Sequence, residues 1–129
     1  MVALPPLVVV VEDDLALLKA LGRVFRAKGF DTAPYVSAED LLASPPTRTP
    51  VCLLLDIQLG TMSGLDLHRT LKEGGSRVPV IMMTAFDDEH LRREALAIGC
   101  VGYFDKVQDI DELFVLIESL QPGGPSVDR

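Results

Sequence analysis

Four short apolar runs, each ending in a group that carries chemistry, constrain this chain more than any other feature. Residues 7–11 lead into Glu12, Asp13 and Asp14, and residues 51–55 lead into Asp56. Residues 78–83 end at Thr84, and residues 101–104 lead to Asp105 and Lys106. Apolar runs of this length between helical patterns read as buried parallel strands. In open α/β sheets the ligand crevice lies outside the carboxyl ends of the strands. Carboxylates, a hydroxyl and one ammonium are therefore expected along one edge of one sheet.

The segments between the runs have the period of helices. Leu17, Leu18, Leu21, Val24 and Phe25 fall on one face of a helix over residues 15–28. Asp13 or Asp14 caps its start, and Gly29 suits the left-handed position after its end. Residues 30–35 are a shorter, more polar strand near the sheet edge. Ser37-Ala38-Glu39-Asp40 resembles a capping box opening a short helix to Ala43. Residues 44–50, with Pro45, Pro46 and Pro50, form a loop on the side away from the acidic edge. The rhythm then repeats as strand 51–56, helix 64–73, strand 78–84, helix 87–98, strand 101–105 and helix 109–120. Alternating strands and helices of this kind make a three-layer α/β sandwich with right-handed crossovers.

A chain of 129 residues forms one domain with a real core. Its net charge of −7 leaves no basic stripe for phosphates, so direct nucleic-acid binding is not expected. No apolar stretch is long enough to span a bilayer, and residues 1–6 carry no basic leader, so a cytoplasmic location is expected. Cys52 and Cys100 have no metal-ligand spacing and read as buried structural thiols. His68 and His90 are expected on solvated helix surfaces, and the four methionines as core or loop packing. No glycine-rich phosphate loop follows the first strand, which excludes the two common nucleotide motifs.

Clustered carboxylates repel and raise one another's pKa unless a cation offsets them. An all-oxygen ligand set without histidine or cysteine suits hard Mg²⁺. Asp56 is then a nucleophile able to form an acyl phosphate. Lys106 and Thr84 neutralise and hydrogen-bond the remaining phosphoryl oxygens. Singly, each of these residues has a plainer role, an aspartate as a helix cap or a lysine as a solvated tip; their joint placement at strand ends carries the argument.

With these residues in place, the chain resembles the receiver domain of bacterial two-component response regulators over about residues 7–120. Glu12 and Asp13 match the family's acidic pair, and Asp56 followed by Gly64 matches the phosphoacceptor strand and loop. Met83-Thr84-Ala85 matches the switch hydroxyl, and Gly102-Tyr103-Phe104-Asp105-Lys106 the switch aromatic and lysine. A softer similarity, from Phe30 through Leu42, is to regulators with a C-terminal helix-turn-helix effector.

The resemblance implies a flavodoxin-like fold with strand order 2-1-3-4-5. It implies residues 1–121 as the receiver and 122–129 as a tail or the start of a linker to an effector domain. It further implies that a histidine kinase phosphorylates Asp56. Mg²⁺ would be held by Asp13, Asp56 and the Gln58 carbonyl, with Glu12 acting through water. Thr84 then moves to the phosphate and Tyr103 turns inward. The face made by the fourth helix, fifth strand and fifth helix changes its partner preference, often toward homodimerisation. Such a domain is a switch that catalyses only its own phosphorylation and slow dephosphorylation.

The chain departs from the family pattern at Gly60 and Val107, where proline is usual. Gly60 loosens the loop after Asp56. Without proline, a trans bond or visible strain is expected at Lys106–Val107, because a cis non-proline bond costs about 2.5–4 kcal/mol. Phe86, two residues past Thr84, is expected to screen the acyl phosphate from water. Two rival readings stand beside this one. A pseudo-receiver would signal by protein binding without phosphate. A flavodoxin-like flavin or small-molecule module is disfavoured, because these carboxylates repel an FMN phosphate and the chain has no tryptophan.

Overall fold

Strand and helix alternate along the whole described chain, which in the computed structural model comprises residues 4–86, 88–106 and 110–121. The strands are β1 (Leu7–Val11), β2 (Asp31–Tyr35), β3 (Cys52–Asp56), β4 (Val80–Thr84) and β5 (Gly102–Asp105). The helices are α1 (Leu15–Ala27), α2 (Ala38–Ala43), α3 (Gly64–Glu73), α4 (Glu89–Ile98) and α5 (Ile110–Ser119). The sheet is parallel throughout, in the order β2-β1-β3-β4-β5. Residues 122–129 and the Lys106–Val107 bond, for which expectations were stated, lie outside the described residues.

Strand alternation divides the core into two layers. Val9, Val11, Leu53, Leu55 and Met82 pack toward α2, α3 and α4, with Ala38, Leu41, Leu65, Leu67 and Ala95. Val8, Val10, Leu54 and Ile81 pack toward α1 and α5, with Phe25, Leu113, Phe114 and Ile117. Because both faces are covered, β1, β3 and β4 are buried end to end. β2 is the polar edge strand, and Pro34 is tolerated there because an edge has a free hydrogen-bonding side.

Caps set the helix starts. The Asp14 carboxylate accepts from the amides of Ala16 and Leu17, which decides between the two aspartates as cap of α1. Ser37, Ser63 and Asp88 do the same for α2, α3 and α4. Since Asp88 is the cap, α4 starts at Glu89, later than its apolar pattern indicates. β4 starts at Val80 because Pro79 has no N–H to donate to the ladder; its carbonyl still accepts from Leu53.

Cys52 and Cys100 are free and buried on opposite faces of the sheet, so they cannot pair. Burial pushes the Cys52 thiol up to about 12, which leaves it inert. His90 is exposed, as expected. His68 is a correction: it is only 4% exposed. It lies three residues after Leu65 on the buried side of α3, where the helical period outweighs the side chain's polarity. Its Nδ1 is buried without a hydrogen-bond partner. Desolvation, helped by the charge of Lys72, holds its pKa below the usual histidine value.

Candidate functional site at the carboxyl edge of the sheet

Parallel pairing brings the strand ends level. Val11 lies beside Leu55, Asp56 beside Met83, and Thr84 beside Asp105. The residues just past these ends therefore meet at one edge. Glu12 is fully buried, Asp56 is 2% exposed, and Asp13 faces solvent. One carboxylate oxygen from each of Glu12, Asp13 and Asp56 lies within 4.8 Å of the others.

Lys106 reaches into this cluster from the end of β5. Its Nζ donates to Asp56 Oδ2 at 2.9 Å and lies 2.9 Å from Glu12 Oε1. Burial alone would lower the lysine pKa, but its bonds to Glu12 and Asp56 outweigh this and leave it raised. Burial raises the Glu12 pKa, Lys106 and the Asp14 amide oppose the rise, and the net direction is upward. One ammonium thus faces three carboxylates. The excess of negative charge and the all-oxygen donor set fit a hard divalent cation beside Asp13, the most open of the three.

Backbone bonds fix the site's frame. The Asp14 amide donates to Glu12 Oε2 at 3.0 Å, and the Gln58 amide to Asp56 Oδ1 at 2.9 Å. The Ile57 amide donates to the Met83 carbonyl, and the Gly64 amide to the Ile57 carbonyl. The loop after Asp56 is therefore tied at both ends, with Gly60 between in open space. A Cβ at Gly64 would lie 2.3 Å from the Asp56 carbonyl oxygen, so only glycine lets α3 start this close to β3.

Glu12, Asp13, Asp56 and Lys106 come together as the sequence indicates, with Gln58 alongside. Thr84 is buried at the end of β4, but its hydroxyl serves its own loop. It donates to the Phe86 carbonyl at 2.7 Å and accepts from the Phe86 amide at 3.0 Å. The Phe86 ring is 67% exposed, so this residue engages the site through its backbone. Tyr103, expected to turn inward only on switching, is already buried. The Arg92 guanidinium lies over its ring, 4.6 Å from the centroid. Arg92 escaped sequence reading; the available signal was its place next to Leu91 and three residues before Ala95, on the side of α4 that meets the sheet.

Fold and site together define a flavodoxin-like domain with an acidic site at its topological switch point. The chain belongs to the response regulator receiver domain family, whose model matches residues 8–118. It is 33% identical over 110 residues to the response regulator protein TodT of Pseudomonas putida, covering 85% of this chain and 48% of TodT. It is 34% identical over 109 residues to the DNA-binding transcriptional regulator NtrC of Salmonella typhimurium, covering 84% of this chain and 23% of NtrC. The chain thus spans less than half the length of either relative. Among solved structures, the receiver domain of the Francisella response regulator 1452 superposes with a TM-score of 0.81 at 26% identity. That match covers 89% of this chain and 95% of the other. No helix among the described residues is long and apolar enough to cross a membrane.

Proposed function

We propose that this chain is a phosphoacceptor switch, with Asp56 taking a phosphoryl group from a phosphohistidine of a sensor kinase. The observation that carries this reading is the Lys106 ammonium placed 2.9 Å from both Asp56 and Glu12, with Asp13 completing the carboxylate cluster. An Asp56 carboxylate oxygen forms the new bond to phosphorus, the P–N bond breaks, and the imidazole leaves with the electron pair. Asp13, Asp56 and the Gln58 carbonyl would hold Mg²⁺, with Glu12 acting through water. When bound, the ion supplies charge neutralisation at one phosphoryl oxygen. Lys106 leaves the carboxylates to pair with a second oxygen, and the Thr84 hydroxyl exchanges the Phe86 backbone for a third.

The chain turns over nothing else; it catalyses its own phosphorylation and slow dephosphorylation. Rearrangement at Thr84 biases the α4–β5–α5 face toward another partner, often a second copy. TodT and NtrC extend well beyond the region they share with this chain, and NtrC is a DNA-binding transcriptional regulator. By analogy, this domain controls transcription through an effector domain, in the cytoplasm where a kinase can reach it.

Incubation with Mg²⁺ and acetyl phosphate tests the reading. A mass gain of one phosphate, lost in Asp56→Asn and on removal of Mg²⁺, is expected. No gain in the folded wild-type protein would favour a phosphate-independent interaction module. Yellow purified protein would favour the flavin reading.

A further inference from the structure

We infer that Arg92 is a positioning residue that latches Tyr103 into the core before any phosphoryl group arrives. The latch itself is independent of the phosphoacceptor reading; its consequence for switching rests on that reading. Tyr103 stands on β5 beside Met82 of β4, and its ring packs in the layer with Val80, Met82 and Ala95. The small Ala95 is the one residue of α4 that is fully buried. It leaves room for a ring between α4 and the sheet, and Arg92, one turn earlier, closes that space. A guanidinium 4.6 Å from the centroid is well within cation–π range. Its planar group stacks in a way that an ammonium does not match.

Two groups that the family couples are therefore in different settings here. The Thr84 hydroxyl is held by the Phe86 backbone, while the Tyr103 ring is already in. Arg92 accounts for the difference, because its hold on the ring does not pass through Thr84 or Asp56. The aromatic part of the α4–β5 surface is thus preset, and phosphorylation has only the Thr84 part left to move. A buried ring held by such a contact has its inward-to-outward ratio raised by about fivefold to thirtyfold.

Tyrosine quenching tests this directly, since the chain holds two tyrosines and no tryptophan. Tyr35 lies on the far edge strand, where its hydroxyl donates to the Ser44 carbonyl. In a Tyr35→Phe background Tyr103 is the only tyrosine. Its fluorescence is expected to resist acrylamide equally with and without Mg²⁺ and beryllium fluoride, a phosphoryl mimic. Adding Arg92→Ala should expose the ring in the unmodified protein, with protection returning on beryllium fluoride. Arg92→Lys should recover part of the protection, and urea midpoints check that each variant is folded. A merely structural loosening would not reverse with the mimic. Equal quenching in parent and Arg92→Ala, or an exposed ring in the unmodified parent, overturns the latch. If acetyl phosphate adds no mass, the phosphoacceptor reading fails, yet quenching without mimic still decides whether Arg92 holds the ring.

Discussion

Gly64 approaches Asp56 so closely that a Cβ on the glycine would lie 2.3 Å from the aspartate's carbonyl oxygen. The obstacle is backbone at the end of a buried strand, so no side chain can rotate away to relieve it. Gly64→Ala is expected to push the start of α3 off β3 and cost about 1–3 kcal/mol, the range for overpacking. Urea unfolding measures the loss, and phosphorylation by acetyl phosphate should slow because Asp56 moves too. An unchanged midpoint would show that the close approach is not required. By contrast Gly60→Ala meets open space and should leave stability nearly unchanged.

Lys106 bridges two carboxylates that are both buried. Replacing it with methionine keeps much of the packing but leaves Glu12 and Asp56 facing each other without a counter-charge. Breaking a buried pair in this way costs about 3 kcal/mol. If Mg²⁺ occupies the proposed ion site, the loss should shrink on adding it, since a ligand of the folded state stabilises by mass action. Asp13→Asn in the same background should abolish that Mg²⁺ rescue, since it removes the exposed member of the cluster. Thermal melts with and without Mg²⁺ read both effects, and an Mg²⁺ shift that survives in Asp13→Asn would argue against the proposed ion site.

His68 links stability to mildly acidic pH. Its folded pKa lies below the ordinary value of 6.5, so the unfolded chain binds the proton more readily. Its contribution to stability is therefore complete above pH 6.5 and is lost as the pH falls toward the lower folded value. His68→Leu keeps the position apolar and removes this dependence. The stability difference between variant and wild type should move in the variant's favour as the pH drops from 7 to about 5. Parallel pH profiles of the urea midpoint would contradict the argument.

Phe86 has its ring in solvent while its backbone occupies the Thr84 hydroxyl. On the proposed switch, moving Thr84 to a phosphoryl group would break both of those bonds and release Phe86. If the released ring covers the acyl phosphate, as the sequence leads one to expect, Phe86→Ala should shorten its lifetime several-fold. Decay of the phosphorylated protein after removal of acetyl phosphate gives the rate. A lifetime equal to wild type would rule out the screen.

Strand ends were legible because their signal is local: an apolar run, a polar terminator and a helical period before the next run. Glu12, Asp13, Asp56, Thr84 and Lys106 could be placed on one edge from that pattern, since parallel pairing leaves little freedom in where strand ends fall. The capping residue of α2, Ser37, was equally readable, because a cap bonds within three residues of itself. Which way a side chain turns once it arrives depends on neighbours far away in the chain. Lys106 meets Glu12 and Asp56 across the sheet, Thr84 turns to Phe86, and Arg92 crosses from α4 to the ring of Tyr103. The polarity of His68 suggests solvent, whereas its depth is set by α3 packing its apolar side into the core. The sequence by itself determined which chemical groups share the edge; the tertiary structure alone decided which are paired, which are turned aside and which are held in place. The reason is that strand order and period are encoded locally, while burial and partner choice are settled only when distant elements pack.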